Sequence, residues 1–397
     1  SFGKMELLDP SYKDQYIKAN DYTTLIGNKH FWRSDIQVQR TSNYYFSVKM
    51  CSERVIGAES CNSENLQGYY MGDGASFLYQ SGEEYRNIFP FLDWKKIPGT
   101  TTLQDTEPLP VLTASGYRIP SDFVGGVSNS STGIAVLDYD RNGLTARKSW
   151  FMLDDMIFHL GTGITSDQKL QVTTGINQSF LKGDVIIKTD AEEVIDQGMK
   201  SISNPLWILH DNIGYVFLGS NEVKLEAQTS EGSWNWVASR YPDERIQDEI
   251  FKLWFDHGEN PKKQSYAYIL VPNADKSQMS ELENENLYEI KNDSDIQEIV
   301  KKDGTKAGVV FYMPAKSNAL GGIEVNQPCV VLMNKQIDNL EISVSDPTQK
   351  LIEIELIIDG NYSHQSARIE KGKTIISISL PNGAEAGKTT MLNLKTI

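Results

Sequence analysis

The stretch "GIAVLDYDRNGLTARKSWFML" (133–153) decides the fold class, because it has the pattern of two antiparallel strands joined by a tight turn. At its centre, Asn142-Gly143 is the dipeptide most favoured in two-residue hairpin turns, where both residues need a positive φ. Apolar and polar residues alternate on both sides of this turn. The stretch therefore predicts a β-hairpin and indicates a protein built mainly from antiparallel sheet.

Further strand patterns occur on both sides of this hairpin. They include "DIQVQRTSNYYFSVKM" (35–50), "GDVIIKTD" (183–190), "GYVFLGS" (214–220) and "EVKLEAQTS" (222–230). The segment "PDERIQDEIFKLWF" (242–255) is ambiguous, since its acidic residues suit a first helical turn whereas "FKLWF" alternates as a strand would. We predict a large β-domain that spans residues 25–280.

A chain of 397 residues is longer than one compact core usually supports, so we expect more than one domain. The polar, charged run 273–295 marks a boundary, and short alternating strands with frequent turn residues follow it. Residues 281–397 are predicted to form a smaller antiparallel β-sandwich. Residues 1–24 have a short helical pattern and read as a helical stub. Because the chain starts at Ser1 without an initiator Met, we expect a processed or truncated product.

The charge and hydropathy of the chain exclude two classes of partner. Its 38 basic and 53 acidic residues give a net charge of −15, which argues against nucleic-acid binding through bulk electrostatics. No stretch approaches the roughly 18 uncharged apolar residues of a membrane helix. We therefore expect neither a nucleic acid nor a membrane as partner.

The cysteine and histidine residues are not spaced as in known catalytic or metal-binding motifs. Cys51 and Cys61 are close enough to bridge across a hairpin, and whether they do is left open. The sequence has no CxxC, HExxH or Cys/His cluster, so a zinc site is not expected. His159 and His257 favour structural roles at strand ends over catalysis.

The stretch "AESCNSENLQGYYMGDG" (58–74) is polar, aromatic and glycine-rich, and it is poor core material. Local chemistry allows either a solvated loop or a polar ligand site. Acidic residues are so frequent in the chain that spacing alone cannot select a catalytic pair. Composition and periodicity lead no further than a two-domain β protein.

A set of segments resembles one enzyme family along nearly the whole chain. Most diagnostic are "DWKKIPGTT" (93–101) and "KSWF" (148–151), and others are "FWRSDIQVQR" (31–40), "HLGTGITS" (159–166) and "VNQPCVVLMN" (325–334). They resemble the polysaccharide lyases that include chondroitin AC, hyaluronate and xanthan lyases, with chondroitin AC lyase nearest. The resemblance implies a large antiparallel β super-sandwich followed by a smaller β-sandwich. It also implies an N-terminal α/α toroid, of which residues 1–24 would be the last element.

The family resemblance implies a lyase that cleaves acidic polysaccharides by β-elimination. The expected substrates are chondroitin sulfate and hyaluronan. In the family a Tyr, a His, an Arg and an Asn of the toroid do the chemistry, and no residue here matches them. We expect this chain to need the missing toroid domain as partner, to be inactive alone, and to belong to a monomeric bacterial enzyme that is secreted or periplasmic.

Two residues match the family motif that the β-domain contributes, a glutamate followed three residues later by an asparagine. They are Glu59 and Asn62. The resemblance implies that Glu59 orients the catalytic Arg/Tyr pair of the toroid and that Asn62 donates hydrogen bonds to substrate or to that network. Asn65 is a weaker substrate-binding candidate. For both asparagines, making a turn is the alternative role.

The sequence differs from the family pattern at one site, where the resemblance would imply a metal ion. Some chondroitin AC lyases hold a structural calcium ion through an acidic "E-W-D" segment and a later Asp-Tyr pair. Here the run is Asp93-Trp94-Lys95, and the later pair is Gln104-Asp105. A lysine and a neutral amide replace two ligands, which removes the charge that a hard cation needs. We expect no calcium, no other metal and no cofactor.

Two alternatives stay open. One is a noncatalytic carbohydrate-binding or scaffold β-module. The other is hyaluronate or xanthan lyase specificity within the same family.

Overall fold

The computed structural model describes residues 25–219, 222–285 and 287–397. The helical stub expected at residues 1–24 lies outside this part of the chain. The central region consists of strands with two short helices. In chain order they are β1 (Gly27–Phe31), β2 (Ile36–Arg40), β3 (Tyr45–Lys49), β4 (Ala75–Tyr79), β5 (Thr101–Gln104), β6 (Val124–Ser128), β7 (Gly133–Arg141), β8 (Leu144–Leu153), β9 (Met156–Ser166), β10 (Gln171–Phe180), β11 (Val185–Lys188), β12 (Glu192–Ile195), β13 (Gly198–Ser203), β14 (Trp207–His210), β15 (Ile213–Phe217), β16 (Glu222–Gly232), α1 (Trp234–Val237), β17 (Ile246–Glu259), β18 (Gln264–Pro272) and α2 (Lys276–Asn284).

The C-terminal region adds shorter strands. They are β19 (Tyr288–Asn292), β20 (Ile296–Lys301), β21 (Lys306–Phe311), β22 (Ala315–Ser317), β23 (Ile323–Val325), β24 (Cys329–Lys335), β25 (Asn339–Ser345), β26 (Glu353–Asp359), β27 (Tyr362–Ser363), β28 (Ala367–Glu370), β29 (Lys373–Ser379) and β30 (Thr390–Thr396). Single 3-10 turns lie at Gly68–Tyr70, Phe89–Phe91, Ala319–Gly321 and Gly383–Glu385.

The central strands form three sheets, in which neighbouring strands are antiparallel. A four-stranded sheet has the order β1-β2-β3-β4, and a five-stranded sheet has the order β13-β16-β17-β10-β5. The third sheet has nine strands in the order β12-β11-β14-β15-β18-β9-β8-β7-β6. Buried side chains of all three sheets share one large core. The predicted antiparallel super-sandwich is therefore confirmed.

The hairpin predicted at Asn142-Gly143 is also confirmed. Strands β7 and β8 pair in register from Gly133 opposite Met152 to Arg141 opposite Leu144. Asn142 and Gly143 have φ values of 55° and 74°, as a tight hairpin turn requires. A Cβ at Gly143 would lie 2.0 Å from the Asp167 carboxylate, but that side chain can move, so glycine is favoured here by its conformation.

Strand β8 is buried on both faces, which explains its run of consecutive large apolar residues. Trp150 and Met152 face the core shared with the five-stranded sheet. Phe151 and Leu153 face a second core on the opposite side, to which the C-terminal region contributes Val310 among others. The nine-stranded sheet is therefore a middle layer around β8, and simple alternation fails in this strand because both of its faces are covered.

The C-terminal strands form two packed sheets, which confirms the smaller antiparallel β-sandwich. A seven-stranded sheet has the order β19-β20-β21-β24-β25-β30-β27, and a five-stranded sheet has the order β22-β23-β26-β29-β28. A core of their inward residues joins the two sheets. In β26, for example, Ile354, Leu356 and Ile358 point inward while their neighbours do not, as expected for a strand with one solvated face.

The helices of the described ranges are short, and none of them is long and apolar enough to cross a membrane. The Asp275 side chain caps α2 by accepting a hydrogen bond from the Gln278 backbone N–H (2.9 Å). Met279 is the buried residue of this helix. The boundary expected between residues 280 and 281 falls inside α2, and the first C-terminal strand begins at Tyr288.

Candidate functional site

The long connection between β3 and β4, residues 50–74, contains every residue that the sequence analysis proposed for the site; we call it the β3–β4 loop. Glu59 and Asn62 are exposed at its tip, and Asn65 is half-buried. The structure therefore brings the two family-motif residues to one solvent-facing segment. Their side chains are free to meet a ligand or another domain from outside.

Asn65 shapes the loop beneath Glu59. Its side-chain Nδ2 donates a 2.6 Å hydrogen bond to the Glu59 carbonyl, and its own carbonyl accepts a 2.8 Å bond from the Ser60 hydroxyl. Asn62 and Asn65 have φ values of 51° and 56°, a left-handed conformation that asparagine tolerates better than most residues. Asn65 thus performs the turn-making role, and Asn62 combines a turn conformation with an exposed amide.

A buried carboxylate anchors the end of the loop. The Asp73 side chain has no exposed surface and accepts hydrogen bonds from Arg141 Nη1 at 2.7 Å and from the hydroxyls of Tyr117 and Tyr139 at 2.5 and 3.1 Å. Burial and the Asp73 charge both raise the pKa of the Tyr117 hydroxyl, which therefore stays protonated as a donor. Burial also raises the pKa of the nearby Cys51 thiol.

Arg141 ties this anchor to the aromatic part of the loop. Its guanidinium lies 4.0 Å from the ring centre of Tyr69 and 3.5 Å from that of Tyr117, within cation–π distance of both rings. It also donates a 3.1 Å hydrogen bond to the Tyr69 carbonyl. Sequence reasoning missed Asp73, Arg141 and Tyr117 as supports of the site, because residues 73 and 141 meet only in the folded chain.

A second set of contacts joins the loop to the segment around α1. The Leu66 backbone N–H donates to the Val237 carbonyl at 2.9 Å, and the Ser239 N–H donates to the Ser63 carbonyl at 3.0 Å. The β3–β4 loop is therefore held at its base by Asp73 and along its side by α1. Such support on two sides keeps an exposed polar group in a fixed position, as a positioning role requires.

An ammonium group occupies the place where the family resemblance implies a calcium ion. Lys95 Nζ donates to the Asp105 carbonyl at 2.8 Å, to the Glu107 carbonyl at 2.6 Å, and to the Asp105 carboxylate. The Gln104 side chain points elsewhere, donating to the Lys95 carbonyl at 2.8 Å. These residues do not fit a calcium ion, because a fixed positive charge already lies among the oxygens that would bind one.

Four histidines are placed as structural groups. His30, His159 and His210 are buried, and burial lowers the pKa of His30 to about 4 and of His210 to about 3. His159 stacks on Tyr268 and shares a 2.8 Å hydrogen bond with its hydroxyl. Burial lowers the pKa of His257 to about 4. These four side chains are neutral near pH 7 and are held within the strands of the sheets, where they cannot serve as bases at the loop.

The cysteines are not bridged. Cys51 is buried and Cys61 is exposed, and both are free thiols, as is the buried Cys329. Within the described ranges no group of three or more His, Cys, Asp or Glu side chains is arranged to hold a metal ion.

Comparison with known families matches both regions of the chain. Residues 26–283 match the polysaccharide lyase family 8 super-sandwich domain, and residues 290–355 match the polysaccharide lyase family 8 C-terminal beta-sandwich domain. Among curated proteins, a chondroitinase-AC of Pedobacter heparinus is 31% identical over 402 residues, covering 98% of this chain and 56% of that protein. A xanthan lyase of a Bacillus species is also 31% identical, covering 81% of this chain and 36% of that protein.

Solved structures agree with these matches. A chondroitinase AC lyase, studied as oligosaccharide complexes, superimposes with a TM-score of 0.86 at 30% identity, covering 98% of this chain and 58% of that one. A Paenibacillus xanthan lyase superimposes with a TM-score of 0.87 at 25% identity, covering 99% of this chain and 41% of that one. The chain thus spans little more than half the length of such relatives, or less.

Proposed function

Because this chain belongs to polysaccharide lyase family 8, we propose that it is the β-sheet portion of a bacterial enzyme that cleaves uronic-acid-containing polysaccharides by β-elimination. The observation that supports the proposal best is the similarity to a chondroitinase-AC along 98% of the chain. The proposed enzyme is of chondroitin AC type and also accepts hyaluronan. Hyaluronate and xanthan lyases are relatives as well, and these are the alternative specificities.

The proposed reaction assigns three tasks to protein groups. A base removes the proton on C5 of the uronic acid, and the electrons of that bond form the double bond between C4 and C5. The bond from C4 to the glycosidic oxygen breaks, and an acid protonates the departing oxygen. A hydrogen-bond donor neutralises the charge that develops on the uronate carboxyl group. We assign these tasks to a Tyr, a His, an Arg and an Asn of a toroid domain outside this chain.

The β3–β4 loop supplies the positioning part of the site. An exposed carboxylate at Glu59 can bind and orient a guanidinium or a phenol of the toroid domain through charge-assisted hydrogen bonds. Asn62 offers an amide donor three residues further on. The support for this role is structural: Asn65 fixes the Glu59 carbonyl at 2.6 Å, and the buried Asp73 carboxylate anchors the loop end.

The proposed cellular setting follows from the substrate. Long anionic polysaccharides do not cross a lipid bilayer, so an enzyme that degrades them acts outside the cytoplasm. We therefore propose a secreted or periplasmic enzyme, which works as a monomer in which the toroid and this β portion enclose the substrate.

An ultraviolet assay tests the proposal. β-Elimination creates a conjugated unsaturated uronate, so absorbance should rise when chondroitin sulfate is mixed with the protein extended by its toroid domain. The 397-residue chain alone should leave the absorbance flat. Turnover by this chain alone would contradict the assignment of base and acid to the toroid. Failure of the extended protein on chondroitin, hyaluronan and xanthan would contradict the proposed activity.

A further inference from the structure

Five aromatic side chains form one surface strip beside the β3–β4 loop. They are Phe89, Trp94, Trp234, Trp236 and Tyr241, which we call the aromatic strip. Phe89 lies with its ring centre 5.9 Å from that of Trp94 and 6.4 Å from that of Trp234, which in turn lies 5.7 Å from Tyr241. Phe89, Trp236 and Tyr241 are 38%, 36% and 38% exposed. A contiguous patch of large aromatic surface on a folded protein points to a binding partner.

The strip is held rigidly. The Ser233 hydroxyl accepts a 3.2 Å hydrogen bond from the Asn235 backbone N–H, which caps α1, and the Asn235 side chain donates to the Tyr241 carbonyl at 2.7 Å. Gly232 packs so closely on Pro90 that a Cβ would lie 2.2 Å from the Pro90 carbonyl oxygen. These contacts fix the backbone that carries the strip, which lowers the entropy lost when a ligand binds.

The strip is continuous with the surface that carries Glu59. The Gln67 side chain donates a 3.3 Å hydrogen bond to the Trp236 carbonyl, and Glu64 forms an ion pair with Arg240 next to Tyr241. A ligand that reaches the tip of the β3–β4 loop can therefore extend onto the strip without leaving the protein surface.

Trp94 and Trp236 line one open groove of about 300 Å³. Its other lining residues mix apolar and polar groups, among them Gln67, Asp93 and Leu109. Sugars need this combination, because each pyranose ring has an apolar C–H face that packs on an aromatic ring and hydroxyl groups around its edge that need polar partners.

We propose that the aromatic strip is a sugar-binding subsite, on which the pyranose rings of the polysaccharide stack as the chain runs from the β3–β4 loop across Trp236 and Trp94. The inference rests on the proposed function and adds to it the place where the substrate is held outside the reacting centre. Binding energy from such a remote contact holds the substrate in register for the chemical step.

Ring stacking rather than net charge carries the binding. Two arginines border the strip: Arg245 lies 4.5 Å from the ring centre of Trp236, and Arg240 lies 5.1 Å from that of Tyr241. Both are already in ion pairs, Arg240 with Glu64 and Arg245 with Glu231 and Asp243. The strip therefore has few unpaired cations to attract sulfates or uronates. Salt screens interactions between exposed charges but not apolar stacking, so the affinity of the subsite should depend weakly on salt concentration.

Binding of a chondroitin hexasaccharide to the 397-residue chain, measured by calorimetry at two salt concentrations, tests this inference. Trp236→Ala should weaken binding about tenfold, and Trp236→Phe should recover most of the loss. Phe31→Ala, which removes another exposed aromatic ring, on β1, is the control and should bind as the unsubstituted chain does. Circular dichroism confirms that each variant is folded.

The possible outcomes distinguish a failure of the proposed subsite from a failure of the proposed activity. Three results would overturn the subsite. The first is equal affinity of the Trp236 variants and the unsubstituted chain, and the second is no binding by the unsubstituted chain. The third is a steep loss of affinity as the salt concentration rises. Hexasaccharide binding that depends on Trp236, combined with no elimination by the toroid-extended protein, would overturn the proposed activity and leave the subsite standing. In an active extended protein, Trp236→Ala should raise KM for polysaccharide more than it lowers kcat.

Discussion

Arg141 and Asp73 form a buried ion pair of 2.7 Å that joins the end of the β3–β4 loop to the last residue of β7. The two side chains are 8% and 0% exposed, so water screens their interaction little. Two tyrosine hydroxyls complete the hydrogen bonding of the carboxylate, which is what makes a buried charge tolerable. The position of the candidate site thus depends on a pair that lies beneath it.

Replacing one partner of this pair should destabilise the protein strongly. Asp73→Asn leaves the Arg141 guanidinium buried without its counter-charge, and such losses cost about 3–5 kcal/mol. Urea unfolding should show this decrease in the free energy of unfolding. Glu83→Gln breaks the exposed pair between Glu83 and Arg86 and is the control, with an expected change within about 0.5 kcal/mol. Equal effects of the two substitutions would contradict the anchoring role.

Glu59→Gln tests the exposed carboxylate at the loop tip. In the toroid-extended protein we expect kcat to fall by about two orders of magnitude or more, since the amide cannot hold a guanidinium by charge. Polysaccharide binding should change little. Glu53→Gln alters another exposed glutamate of the same loop and should leave turnover intact. An unchanged rate for Glu59→Gln would remove this residue from the site.

Lys95 should make the protein independent of calcium. Its ammonium already links the Asp105 and Glu107 carbonyls, so we expect neither calcium nor a chelator to change the Tm of the unsubstituted chain. Lys95→Met should destabilise by on the order of 1 kcal/mol for each charge-assisted hydrogen bond lost.

The double variant Lys95→Asp with Gln104→Asp is the complementary experiment. It supplies carboxylates at the two positions where the family resemblance implies ligands, and its Tm should rise with calcium. Terbium luminescence, sensitised by the neighbouring Trp94, reports binding directly. A calcium-dependent Tm of the unsubstituted chain would show that the lysine does not replace the ion.

The buried Lys148 side chain predicts a pH dependence of stability. Burial lowers its pKa to about 7. Its ammonium group donates hydrogen bonds to the backbone carbonyl oxygens of Asp73 and Gly99. The pKa in the unfolded chain is about 10.4, so between these pH values the unfolded state binds more protons and the stability contribution of Lys148 rises with pH. Below pH 7 the folded protein bears the cost of a buried charge.

The comparison of unsubstituted protein with Lys148→Met isolates this effect. Between pH 7 and pH 9 the unsubstituted protein should gain roughly 2 kcal/mol relative to the variant, because one pKa unit corresponds to about 1.4 kcal/mol. Urea unfolding at several pH values provides the measurement. A constant difference between the two proteins would mean that Lys148 stays charged in the fold.

Thiol reactivity should separate the three cysteines. Cys61 is exposed and free, whereas burial raises the pKa values of the Cys51 and Cys329 thiols. Ellman's reagent should therefore modify one thiol in the native protein and all three after unfolding. Modification of fewer than three thiols in the unfolded, non-reduced protein would indicate a disulfide bond.

Local sequence patterns predict those strands that have one solvent-exposed face or that flank a distinctive turn. The Asn142-Gly143 hairpin is of this kind, because the turn requirement is local. The segment 242–255 could not be assigned, and the structure explains why. Strand β17 begins at Ile246, and its next residues, Gln247–Glu249, are all exposed. Because no side chain there has to be buried, acidic residues are tolerated and polar and apolar residues do not alternate. Only from Ile250 onward does the core impose a pattern.

The candidate site could be predicted only in part for a similar reason. Glu59 and Asn62 were found through family resemblance, since an exposed carboxylate in a polar loop has no distinctive local chemistry. The supports beneath them, Asp73 and Arg141, are 68 residues apart in sequence. Their pairing depends on how β7 passes under the loop, and no local pattern encodes that approach.

The double burial of the nine-stranded sheet has a consequence for how this protein can be divided. Val310 and Leu332 of the C-terminal sheet share a core with Phe151 and Leu153 of β8. A truncation near residue 285 would leave that apolar layer facing water, and the shortened chain should aggregate. The C-terminal sandwich therefore shields the nine-stranded sheet from water, and the two regions should be expressed and engineered together.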